Sequence, residues 1–174
     1  MKDYLLDTNI IGHLAEYKSG IQTERSISLE KYHSLLPESA RLFICSISVG
    51  ELEYGLQLAY PEDFGKLQHI RDLIDPFPMK LQLSINSDVA KNYYAKLKAK
   101  LFDKCAPKDK KSRQNRIDQW RGPVTAKELK IQENDIWIAS VAMAFNLILV
   151  TNDKMNSIKE VIGTDLEIVD WLSG

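Results

Sequence analysis

The run Leu147-Ile148-Leu149-Val150 carries no polar alternation at all. A strand wetted on one face alternates apolar and polar residues, so an unbroken apolar run must be covered on both faces, as in a parallel sheet between helices. The segment before it, residues 135–145, has helical length and is apolar on nearly every side, with Ile136, Trp137, Ile138, Ala139, Val141, Ala142, Met143 and Phe145. Such a helix belongs in a core. Further runs rich in β-formers occur at residues 4–6, 42–45 and 167–169, with a less regular one at 81–85, and helical patterns fill the gaps. Strands alternating with helices predict an α/β fold with a mainly parallel central sheet flanked by helices, because parallel neighbours need helical crossovers. The apolar run at 147–150 is expected to be a central strand. With 174 residues and 44% hydrophobic content, the chain suits a single domain over residues 1–174.

Helices are expected over residues 23–36, ending before Pro37, and over 61–74, ahead of Pro76 and Pro78. Residues 87–102 read as an amphipathic surface helix. Val89, Tyr93, Tyr94, Leu97 and Leu101 share one face, and lysines stand at 91, 96, 98 and 100. The formal charge of −1 gives no global sign of a nucleic-acid or membrane binder, yet charge is segregated. From Lys104 to Arg121 seven basic residues face only Asp109 and Asp118, a local excess of five, which leaves about six negative charges to the rest. This basic loop or insertion is placed at about 104–123. The start Met1-Lys2-Asp3-Tyr4 has an acid ahead of any apolar stretch, and the longest apolar stretch, 141–150, is interrupted by Asn146. It falls short of the roughly 20 residues that cross a bilayer. A cytoplasmic protein with no membrane association is therefore expected. Two cysteines without CxxC spacing offer no redox or zinc pair, in keeping with a reducing compartment.

Four carboxylates stand where such a sheet would bind a ligand. Asp7 directly follows the strand at residues 4–6, in Asp7-Thr8-Asn9, where it also suits a helix cap. Glu51 follows the strand at 42–45 and is expected to open a helix, with Ser48 at capping-box spacing. Gly55, one turn later on the same face, suggests that something approaches closely there. Asp135 follows Asn134 at the start of the buried helix, where either residue could be the cap, and Asp153 ends Val150-Thr151-Asn152-Asp153 in a turn after the apolar strand. In open parallel sheets ligands bind outside the carboxyl ends of the strands, and all four acids can reach that edge. Clustered carboxylates repel and would take up protons unless a cation compensates. All-oxygen donors suit Mg2+ or Mn2+, whereas His13, His33 and His69 are scattered and form no zinc set.

Taken together, Leu5-Leu6-Asp7-Thr8-Asn9-Ile10, Ser48-x-x-Glu51-Leu52-x-x-Gly55, Asn134-Asp135-Ile136-Trp137-Ile138-Ala139 and Val150-Thr151-Asn152-Asp153 resemble the PIN-domain nucleases, and within them the VapC-type toxin ribonucleases. The resemblance spans nearly the whole chain and implies a PIN-like fold. It also implies Asp7, Glu51, Asp135 and Asp153 as the catalytic, metal-binding acids, with Thr8 assisting, and a Mg2+-dependent endoribonuclease. A homodimer and a small VapB-like antitoxin are implied as partners. Two departures bear on substrate and partner: Ser157 stands where an aromatic residue commonly follows the last acid by four positions, and the basic stretch before Asp135 is long. In an RNA-cleaving protein Lys110, Lys111, Arg113 and Arg116 could hold the backbone and Trp120 could stack on a base; a solvated loop whose charge only aids solubility is the alternative of equal weight. Aspartate-nucleophile phosphatases also place an acid after a first strand, but they need another two residues later, where Asn9 stands. An RNA-processing nuclease outside a toxin–antitoxin pair, and a non-catalytic RNA- or partner-binding module, remain as alternatives.

Overall fold

The computed structural model describes residues 2–74, 81–105, 117 and 131–173. These fall into two compact units, one formed by residues 1–84, 146–153 and 167–174, the other by 85–145 and 154–166.

The first unit holds the sheet. Its strands are β1 (Tyr4–Leu6), β2 (Leu42–Cys45), β3 (Leu81–Leu83), β4 (Ile148–Val150) and β5 (Ile168–Val169), in the order β3-β2-β1-β4-β5. Every ladder is parallel. The strands lie where the apolar runs placed them, each trimmed by up to two residues. The middle strand is β1; β4 lies beside it and is buried along its whole length. The order turns back at β1, since β2 and β3 extend the sheet on one side and β4 and β5 on the other. The gap outside the carboxyl ends of β1 and β4 is therefore the topological switch point, where such sheets bind ligands.

Helix α1 (Thr8–Lys18) leaves β1 directly and buries Ile10, Ile11, Leu14 and Ala15. That stripe packs with Leu6, Ile44, Val150, Trp171 and Leu29, the last from α2 (Glu24–Ser34). Each fully buried aliphatic side chain contributes about 1.5–3 kcal/mol, so this face fixes α1, and with it Asp7, against the sheet. Helix α2 starts at the expected place, where Thr23 and Ser26 form a reciprocal capping box. The unit is completed by α3 (Ser46–Ala59) and α4 (Phe64–Ile74), which Arg71 ties together through its bond from Nε to Glu53 Oε2 at 2.9 Å.

The second unit is helical, with a π-helical stretch (Val89–Tyr94) running into α5 (Ala95–Cys105), then α6 (Glu133–Ala144) and α7 (Asn156–Ile162). Helix α6 buries Ile136, Ile138, Ala139, Ser140, Val141 and Ala142. Its one buried hydroxyl, Ser140, donates back to the Ile136 carbonyl at 2.6 Å, so no polar group is left unsatisfied there. The amphipathic reading of residues 87–102 holds for burial, with Val89, Leu97 and Leu101 covered. It is corrected for geometry, because residues 89–94 wind as a π-helix. Among the described residues no helix is long and apolar enough to cross a membrane.

Candidate functional site

Asp7 continues the ladder between β1 and β4 for one more bond, its N–H donating to the Val150 carbonyl at 3.0 Å. Its side chain then turns to the start of α1. Oδ1 accepts the Thr8 N–H at 2.7 Å, and Oδ2 accepts the Thr151 hydroxyl at 2.6 Å. Asp7 is thus the N-cap of α1, as its sequence position allowed. A surface cap would be wet, however, and Asp7 is only 4% exposed. Burial pushes its carboxyl above the ordinary value. The hydrogen bonds from Thr151 and Thr8 pull it back, and the negative charges of Asp153 and Glu51 push it up again. Those two acids therefore lie close enough to repel it.

Thr8 joins two of the acids: its N–H serves Asp7 and its hydroxyl donates to Glu51 Oε2. Glu51 does not open its helix. β2 runs into α3 without a loop, Cys45 takes the N-cap position, and Glu51 falls in the second turn. The expected capping box is absent for the same reason: Ser48 is already inside the helix and fully buried, its Oγ 3.5 Å from Cys45 Sγ. The expected close approach at Gly55 is also corrected, since a Cβ there would meet nothing within 4 Å. Gly55 instead borders an open groove of about 600 Å3, which Thr8, Gly12, His13, Glu51 and Tyr60 also line.

Asp153 is exposed in the turn after β4, and its N–H donates to the Thr151 hydroxyl at 3.1 Å. Thr151, 1% exposed, thus accepts from the Asp153 backbone while donating to Asp7. Sequence reasoning passed over Thr151. Its only signal was a small hydroxyl residue between a buried strand and the Asn152-Asp153 turn.

Asp135 lies in the second unit, in the first turn of α6. Gln132 is the N-cap, so neither Asn134 nor Asp135 takes that place. Asp135 instead closes the turn from inside, its Oδ2 accepting the Gln132 N–H at 2.7 Å. Lys110, Lys111, Arg113, Arg116 and Trp120 lie outside the described residues. Lys104, at the end of α5, forms an ion pair with Glu160 at 2.7 Å.

An all-parallel sheet with a buried aspartate at its switch point, and acids after β1 and β4, is the arrangement the sequence motifs anticipated. The PIN domain family model matches residues 4–161. The chain belongs to the PIN domain family. PIN domains are generally nucleases and typically use divalent metals. Among solved structures this PIN domain is similar to VapBC2 from Rickettsia felis bound to a promoter DNA fragment, at 24% identity and a TM-score of 0.64, over 97% of this chain and 98% of that one. It is similar to VapBC-1 from nontypeable Haemophilus influenzae at 26% identity and 0.61, with the same coverage, and to FitAcB from Neisseria gonorrhoeae at 16% and 0.64, over 98% and 99%. No curated protein sequence matches it.

The donors of this PIN domain fit a hard divalent cation in kind, being carboxylate and hydroxyl oxygens. Among the described residues no three His, Cys, Asp or Glu side chains stand together as a finished cage.

Proposed function

We propose that this PIN domain is a Mg2+-dependent endoribonuclease, with Mn2+ as a substitute ion, and the toxin of a toxin–antitoxin pair. The observation that carries the metal site is the Asp7 carboxylate, buried at the switch point, held by Thr151 and Thr8, and raised in pKa by its burial and, to a lesser degree, by Asp153 and Glu51. Keeping repelling acids around a buried one is costly in a protein without a cation to receive them. Asp7, Glu51 and Asp153 are the ligands proposed in the first unit. The Asn134-Asp135-Ile136-Trp137 motif assigns Asp135 to the same catalytic set.

A divalent ion bound to these carboxylates would lower the pKa of an attacking water and offset charge on the phosphodiester oxygens. The chain's own part is orientation. The Thr8 N–H and Thr151 hydroxyl hold Asp7 in one rotamer, and the Thr8 hydroxyl holds Glu51. The positive end of the α1 dipole favours the ionised form of Asp7. None of these roles needs a side-chain nucleophile. Incubation of the purified protein with a panel of RNAs and DNAs tests the reading. Mg2+-dependent cleavage of RNA, with ends free of 2′,3′-cyclic phosphate, is expected from attack by water; cyclic ends or cleavage confined to DNA would contradict it.

The partners proposed are RNA as substrate, a VapB-like antitoxin and a second copy of the chain, in the cytoplasm. Similarity to VapBC and FitAcB complexes supports the antitoxin. A small neighbouring reading frame with a DNA-binding start and a helical tail would support it further. For the basic segment, neutralising Lys110, Lys111 and Arg113 together is expected to reduce the slope of log affinity against log salt by about 2 on single-stranded RNA, since each phosphate that a cation neutralises adds about 0.7. A filter-binding titration across salt reads this, and an unchanged slope would make the segment a solvated loop.

A further inference from the structure

The first turn of α6 is clamped from the side by two residues that the site so far leaves without a role. The π-helical stretch ends at Tyr94, whose ring lies flat on Trp137, with centroids 3.5 Å apart and planes within 4°. Its phenol donates to Glu133 Oε1. Lys98, one turn further on, donates to the same Glu133 oxygen at 2.6 Å and to the Tyr94 hydroxyl at 2.9 Å. Glu133 and Trp137 are one turn apart on α6, and Asp135 lies between them.

Two features set this cluster apart from an ordinary surface ion pair, which contributes little. Aromatic pairs favour offset or edge-on contact over a parallel sandwich, so the flat stack is held by its surroundings and not chosen by the rings. The backbone that delivers Tyr94 is π-helical where the sequence pattern alone gives an α-helix, and such turns are rare and often mark functional sites. Tyr94, at the end of that stretch, meets both ends of a single helical turn, the turn that carries Asp135.

We propose that Tyr94 and Lys98 are positioning residues that fix the first turn of α6 and so the aim of the Asp135 carboxylate, given Asp135 as a member of the metal set. Glu133 is the relay: held by both, it is kept as a structural carboxylate, while the bond from the Gln132 N–H orients Asp135 within the turn. Neither positioning residue contacts substrate or ion.

The test uses the full chain with Mn2+ as the probe, reading its affinity by calorimetry and, without metal, the hydrogen exchange of the amides at 134–137. Tyr94→Phe keeps the stack and loses the hydroxyl; Lys98→Met loses the cation; Lys98→Arg keeps a donor. Tyr94→Phe and Lys98→Met are expected to weaken Mn2+ severalfold, approaching the about tenfold loss seen on removing a partner bonded to a ligand directly. They should also speed exchange at 134–137, and Lys98→Arg should recover most of both. Unchanged Mn2+ affinity alongside a lowered melting temperature would overturn the proposal and make the cluster purely a packing device. If wild-type protein binds Mn2+ but cuts no RNA, the nuclease reading fails and the positioning role is still judged on affinity. If it binds no Mn2+, both fail.

Discussion

Asp7→Asn is expected to lose metal-dependent RNA cleavage by about 10²–10³-fold, the scale of removing one preorganised electrostatic group, and yet to melt at a higher temperature than wild type. The gain follows from the sign of the pKa shift. Burial raises the Asp7 carboxyl above its ordinary value of 3.8, so the folded protein holds that proton more tightly than the unfolded chain does. The stability it contributes is present below the ordinary value and is lost as pH climbs through the raised one. At neutral pH wild type therefore carries a penalty that the neutral amide does not. Asparagine fits the same place: its oxygen accepts from the Thr8 N–H, and its NH2 donates to the Thr151 oxygen once that hydroxyl rotates. A gain of about 0.5–2 kcal/mol, the usual size of a single stabilising substitution, is expected. At about 2–4 °C per kcal/mol for a chain of this length, it is visible by calorimetry. The difference should vanish near pH 3, below the ordinary carboxyl value. Mg2+ should raise the melting temperature of wild type and leave the variant unmoved, because only a binder of the native state stabilises it.

Asp135→Asn is expected to lose cleavage on the same scale while its stability moves the other way. Its side chain accepts the Gln132 N–H, a bond the asparagine oxygen keeps, so the start of α6 should survive. What is lost is a negative charge in the first turn of a helix, worth about 0.3–1 kcal/mol against the dipole. Two variants that remove the same charge should thus be alike in activity and opposite in melting temperature. Equal stability effects would mean that Asp7 is not distinguished by its burial.

The parts of this molecule that were legible in its sequence are those set by local pattern. β4 could be read from four consecutive apolar residues, and the start of α2 from Thr23. The cap at Asp7 followed from an acid after a strand. What depended on distant partners could not be read. Thr151 has meaning only opposite Asp7, 144 residues away, and nothing near it says that its hydroxyl is buried. Ser48 and Glu51 have capping-box spacing, but β2 passes into α3 so abruptly that the helix begins at Ser46 and the box never forms. The π-helix before α5 is likewise invisible, because residues 89–94 carry an ordinary helical pattern and the partners of Tyr94, Glu133 and Trp137, lie on another helix. The family match over residues 4–161 runs through both compact units.

In the proposed reading, RNA cleavage by this PIN domain depends on a divalent ion and on the buried Asp7 carboxylate. The most direct measurement sets wild type beside Asp7→Asn on one RNA, with Mg2+ and with EDTA. Cleavage by wild type in Mg2+ alone, with EDTA and the substitution each abolishing it, is the predicted result. Cleavage that persists in EDTA, or full activity in Asp7→Asn, would rule out a metal-dependent site at Asp7.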